Sequence, residues 1–203
     1  IMFILDHSGS MASDFLPDSV GSDSSRVGFK NFQCNLIYYN PNVAYVPPKK
    51  ADGTDFANAT WPLAKSDGFD TFEGIATVNV NLQTGFTAHS GDTAQAAYYY
   101  LYSGTQTLVP HTSAACVQAI GTSPFAATGG GTWTKVIVGA AEQQNFANWF
   151  SYYRKRILMA KTAASRAFDA IDDHYRVGFI TIKPMSGASI DPAQFLKIGD
   201  FGG

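Results

Sequence analysis

The sequence predicts an α/β chain: a parallel sheet with helices, interrupted by a large β and loop insertion between its first loop and its first helix. Three observations predict it. An unbroken apolar run, residues 1–5, opens the chain. A second apolar run, residues 175–182, lies near its other end. Between them, residues 146–171 place apolar side chains at three- and four-residue spacing. Apolar runs without polar alternation suit strands buried on both faces of a parallel sheet. A strand, a connection containing a helix and a second strand in one sheet make a right-handed parallel crossover. The expected core is therefore residues 1–11 and 145–203, with the insertion at 12–144, in one unit of 203 residues.

The first strand is followed at once by Asp6-His7-Ser8-Gly9-Ser10-Met11. Ligand sites of open α/β sheets lie at the C-terminal ends of strands. The spacing Asp6-x-Ser8-x-Ser10 puts one carboxylate and two hydroxyls in a tight turn, and Gly9 allows the bend. Oxygen donors are what a hard divalent cation such as magnesium or calcium selects. One carboxylate with neutral hydroxyls under-neutralises such a cation, which stays electrophilic toward an acidic group of a partner. The plainer alternative is a capped turn in which Asp6 or Ser8 satisfies backbone donors.

Residues 12–28 hold Ser, Asp, Gly and Pro17 and read as loop. Residues 35–42 read as a short strand or turn ended by Asn40-Pro41, and residues 45–48 as an extended or polyproline-like stretch. Asp52-Gly53 and Asp67-Gly68 are turn signals. Residues 76–82 alternate with period two, and residues 97–102 and 132–138 have high β-propensity, so all three are expected strands. Gly129-Gly130-Gly131 is expected to be a flexible hinge. The helix over 146–171 is expected to pack on the sheet through Trp149, Tyr153, Ile157, Ala164 and Phe168. Arg154, Lys155, Arg156, Lys161 and Arg166 are expected on its solvated face. Residues 191–196 are expected to begin a short helix, with Pro192 in its first turn.

The composition is that of a globular chain, with 45% hydrophobic, 14% aromatic and 15% charged residues. A net charge of −2 gives no basic patch for nucleic acid or an anionic membrane surface. No apolar run reaches the ~20 residues of a membrane helix. The chain begins inside a strand and stops at Gly202-Gly203, so it is expected to be a fragment. Its two cysteines, Cys34 and Cys116, would pair in an exported protein and stay free thiols in the cytosol. Low charge and abundant Gly, Thr, Tyr and Asn favour export and the disulfide. Closing a loop of that size constrains the unfolded chain by roughly 4–5 kcal/mol in the chain-entropy model.

The Asp6-x-Ser8-x-Ser10-Met11 loop resembles the metal-ion-dependent adhesion site of von Willebrand factor A domains. Four longer stretches extend the resemblance: Cys34-Asn35 with Tyr38-Tyr39-Asn40-Pro41, then Tyr45-Val46-Pro47-Pro48, then residues 145–157 and residues 175–182. Together they resemble the N-terminal region of the PilY-type tip adhesins of bacterial type IV pili, over most of the chain. The resemblance implies an A-type domain, exported through the periplasm to the pilus tip or cell surface. It implies minor pilins and a host or abiotic surface ligand as partners, and roles in adhesion, pilus assembly and twitching motility. The alternative it leaves is a structural partner that primes minor pilins without metal-dependent binding.

Two departures matter. The family has an acidic or amide residue where this chain has His7, which is expected to be a solvent-facing loop side chain, the alternatives being a group that titrates near neutrality or a ligand of a softer metal. The family's site also takes a threonine and an acidic residue from loops that would follow residues 175–182. The cation is therefore expected to be weakly bound or absent in this chain alone. Catalysis is not expected. Ser8 lacks the G-x-S-x-G setting of a nucleophile elbow, and His89, His111 and His174 stand in no recognisable catalytic context. No phosphate-binding G-x-x-x-x-G-K-[ST] occurs, and the cysteines and histidines lack zinc-ligand spacing.

Overall fold

A computed structural model describes residues 1–6, 8–69, 77–110, 112–171, 174–182, 185–186, 189–190 and 195–200. The chain starts with strand β1 (Met2–Leu5) and passes through a 3-10 turn, Gly9–Ala12. Strands β2 (Leu63–Lys65), β3 (Asn79–Asn81), β4 (Tyr98–Ser103), β5 (Phe125–Ala126) and β6 (Thr132–Ile137) follow. Helices α1 (Gln143–Tyr152) and α2 (Arg156–Phe168) come next. The chain then forms β7 (Arg176–Thr181), the short pair β8 (Met185–Ser186) and β9 (Ser189–Ile190), and β10 (Phe195–Asp200).

The two apolar runs meet as expected. β1 lies parallel to β7, with Phe3 opposite Phe179 and Ile4 opposite Ile180. β10 joins the other edge of β7 antiparallel, so the sheet is mixed rather than all parallel. Residues 195 and 196, expected in a helix, are in β10, while residues 191–194 lie outside the described residues. β1 is not buried on both faces. Phe3 meets the Phe168 ring edge-on at 5.2 Å, whereas Met2 and Ile4 point to the other face and are 44% and 62% exposed.

The expected single helix is broken between Tyr152 and Arg156. Tyr153 and Arg154 both donate their N–H to the Trp149 carbonyl, which closes α1, and Lys155 is extended at φ −122°, ψ 151°. The Thr162 hydroxyl donates to the Tyr152 carbonyl at 2.8 Å and ties the two helices together. The break divides the apolar stripe. Trp149 packs with Tyr38, Tyr39 and Phe146, and its indole N–H donates to the Ile37 carbonyl at 2.9 Å. Phe168, on α2, packs on the sheet instead. The break also turns Arg154 inward: its guanidinium lies 4.4 Å from the Phe150 ring centroid and donates to the Ser66 carbonyl. Burial pushes the Arg154 pKa down to about 10, against the opposing pull of Asp14 and Asp67. It is not on a solvated face.

Most of the buried core lies between β1 and α2 and is aromatic. Tyr39, Phe86, Trp133 and Phe146 are fully enclosed, and Tyr39 touches the rings of Tyr45, Tyr99, Phe146 and Trp149. Edge-on and tilted ring pairs of this kind add about 0.5–1.5 kcal/mol each beyond area burial. β4, β6 and β5 form an antiparallel sheet on this core, and β2 pairs with β3. Residues 35–42 form turns rather than a strand. Cys34 and Cys116 are bonded, with Cα atoms 5.7 Å apart across a separation of 82 residues. The triple glycine, expected as a hinge, forms a hydrogen-bonded turn. All three φ angles are positive (88°, 104° and 90°), the Ala127 N–H donates to Gly131 O, and the Tyr102 hydroxyl donates to Gly130 O.

Candidate functional site

The loop after β1 sits at the C-terminal end of the parallel β1–β7 pair. The Ser8 N–H donates to Asp6 Oδ1 at 2.8 Å, which bends the chain back over the strand end. Met11 N–H then donates to Ser8 O at 2.9 Å and Ser13 N–H to Ser10 O at 3.1 Å, closing the 3-10 turn. This turn brings the Ser8 and Ser10 hydroxyl oxygens to 3.0 Å from one another, both on exposed residues. Neighbouring corners of a magnesium octahedron, with oxygens about 2.1 Å from the ion, lie about 3 Å apart. The two hydroxyls are hydrogen-bonded to one another at a spacing that equals that of such adjacent corners, and the Asp6 carboxylate is held in the same turn by Ser8 N–H. Among the described residues no three His, Cys, Asp or Glu side chains cluster at a metal-binding spacing. His7 and His111 lie outside the described residues.

The loop is held from below by residues 13–18, which are clamped on two sides. From α2, the Arg156 N–H donates to Ser13 O at 3.1 Å, and Arg156 Nε donates to Phe15 O at 2.8 Å. The same guanidinium pairs with Asp18 at 2.5 Å and lies over the Phe15 ring. From the disulfide-tied side, the fully buried Asn35 accepts from Leu16 N–H at 2.9 Å. Its amide nitrogen donates to Asp14 O and Phe29 O. His89 Nδ1 meets both carboxylate oxygens of Asp14 at 2.9 Å, and its ring meets Phe29 edge-on at 5.3 Å. Arg156 and Asn35 support the loop although neither belongs to it. Periodicity gives no sign of either; the one hint is that Asn35 adjoins Cys34.

No family model matches the chain, and no solved structure matches it. Curated proteins do. The type IV pilus biogenesis factor PilY1 of Pseudomonas aeruginosa strain PAK is 32% identical over 197 residues, covering 88% of this chain and 15% of that protein. This chain is similar to a segment of PilY1. The PilY1 of strain PAO1 is 30% identical over 191 residues, and that of strain UCBPP-PA14 is 32% identical over 190. The chain spans about 15% of the length of these PilY1 relatives. The matches support a PilY1-type segment.

Proposed function

We propose that this chain is a non-catalytic binding module of a type IV pilus biogenesis factor, built as a von Willebrand factor A-like domain with a large insertion. In this reading Asp6, Ser8 and Ser10 form the first loop of a metal-ion-dependent adhesion site. A magnesium or calcium ion held there would present an open coordination position to an acidic group of a host or abiotic surface ligand. The module would work exported, at the pilus tip or cell surface, beside minor pilins, in attachment, pilus assembly and twitching motility. The reading rests on the 3.0 Å pairing of the Ser8 and Ser10 hydroxyls beside Asp6, at the end of a parallel strand pair. The PilY1 similarity supports the biological setting.

A second reading rests on the Ser8 N–H to Asp6 Oδ1 bond, which is the geometry of a self-satisfied turn. There the loop only holds the fold, and the module serves as an assembly partner for minor pilins. Bacteria carrying Asp6→Ala separate the two. The first reading expects surface attachment to be lost with piliation intact. Unchanged attachment by a piliated Asp6→Ala strain would favour the second.

A further inference from the structure

Lys30 ends the 3-10 turn Val27–Lys30 and is buried. Its Nζ lies 3.1 Å from Asp92 Oδ2, and the two side chains are only 7% and 15% exposed. The contact is too oblique for a hydrogen bond: Asp92 Oδ2 is fully enclosed and accepts none. The other carboxylate oxygen, Oδ1, accepts from the Ser24 hydroxyl. Tyr98 and Lys135 close the site. Lys30 Nζ and Lys135 Nζ stand 5.7 Å and 4.2 Å from the centre of the same Tyr98 ring, and Lys135 donates to Gln95 Oε1. Burial, and then the charge of Lys30, push the Lys135 pKa down.

As an ion pair this arrangement is poor. The attraction between a buried ammonium and a buried carboxylate repays their lost hydration only where the geometry is good and the remaining polar atoms are hydrogen-bonded. Here Oδ2 is left without a hydrogen bond, and a second ammonium shares the ring. As a pair of reactants it is well placed. The fold holds an amine nitrogen against a carboxyl group, so their meeting is no longer a bimolecular event. Condensing the two would remove both buried charges and the unsatisfied oxygen together.

We propose that Lys30 and Asp92 join in an intramolecular isopeptide bond, made once by the folded chain on itself. The Lys30 ammonium passes a proton to Oδ2 across their contact, which gives a neutral amine and a carboxylic acid. Nζ then attacks Cγ, and the Ser24 hydroxyl stabilises the negative charge that develops on Oδ1, as an oxyanion-hole donor does. Nζ gives a second proton to Oδ2, which leaves as water when Oδ1 reforms the carbonyl. Nothing is oxidised or reduced, and no other reactant is needed. The new amide fixes the turn that carries Lys30 to the turn at 89–92, whose His89 holds Asp14 beneath the loop after β1.

The test is the mass of the purified chain, first folded and then reduced and alkylated in denaturant so that the disulfide no longer contributes. The wild type should be lighter than its sequence by one water, and digestion should release a branched peptide that links Lys30 to Asp92. This peptide is read directly, so the result does not depend on how any variant folds. Lys30→Arg and Asp92→Ala should each restore the full mass. Dehydration at the Asp52-Gly53 or Asp67-Gly68 turns would also lose water, but would persist in both variants. Ser24→Ala should leave part of the chain at full mass. A wild type of full mass, or a water loss that survives Lys30→Arg or Asp92→Ala, would overturn the proposal. A wholly cross-linked Ser24→Ala chain would overturn the step as written.

Discussion

Asn35 is the residue on which the loop and the interior most plainly depend on one another. Its side chain makes three hydrogen bonds, to Leu16 N, Asp14 O and Phe29 O, from a site with no exposure. Asn35→Ala removes all three and leaves buried backbone groups unpaired. Each such group costs about 1–3 kcal/mol, reduced where the site relaxes, so the substitution should destabilise the fold by about 2–4 kcal/mol. Urea unfolding measures it; a loss below about 1 kcal/mol would show that water replaces the amide. Among single residues the sequence is informative only in part. Asp6, Ser8 and Ser10 are legible because a short motif follows an apolar run. Arg156 reads as a solvated cation, since residue type and helical spacing alone cannot show a backbone carbonyl waiting across 141 residues.

Between elements, the disulfide joins the segment carrying Asn35 to the one pairing with Gly28, whose N–H donates to the Cys116 carbonyl at 3.1 Å. The backbones are so close there that a Cβ on Gly28 would collide with that carbonyl. Replacing both cysteines by serine frees a loop spanning 82 residues and should cost about 4–5 kcal/mol, read from the shift in the unfolding midpoint. An unchanged midpoint would show that the aromatic core alone closes the loop. The strand pair β1–β7 and strands β4 and β6 are legible from apolar runs and β-propensity. The helix break is not. Apolar spacing continues through residues 153–155, and the signal that ends α1 is tertiary: Arg154 turns toward Ser66, and Thr162 takes the Tyr152 carbonyl. The partial exposure of β1 is illegible for a related reason, because an apolar run records what a strand prefers and not which neighbours cover it.

Across the whole molecule, the tyrosine-rich interior ties stability to alkaline pH. Burial pushes the Tyr45 hydroxyl up to about 12, and raises Tyr38, Tyr98, Tyr99, Tyr100 and Tyr152 above the ordinary value of 10.0. A group whose folded pKa is raised stabilises fully below its unfolded pKa and loses that contribution as pH climbs through the folded one. Arg154, lowered to about 10 from 12.5, and Lys135 and Lys155, which burial also lowers, act in the opposite direction, but as three groups against eight raised tyrosines once Tyr39 and Tyr153 are included. Stability should therefore fall steadily above pH 10, and phenolate absorbance at high pH should rise together with unfolding. Gradual tyrosine ionisation in a chain that stays folded would contradict this.

The cation role proposed for the loop after β1 is directly measurable. Asp6, Ser8 and Ser10 bring only three side-chain ligands to the loop, so water must fill much of the shell, and binding by this chain should be weak, of millimolar order. Calorimetric titration with magnesium, calcium and manganese, on the wild-type chain and on Asp6→Ala, reads it out. The wild type should bind weakly, and Asp6→Ala should abolish that binding. Binding that survives Asp6→Ala unchanged would mean that the loop is no cation site, and micromolar binding lost on Asp6→Ala would contradict the weak, water-rich shell by showing that further ligands complete it.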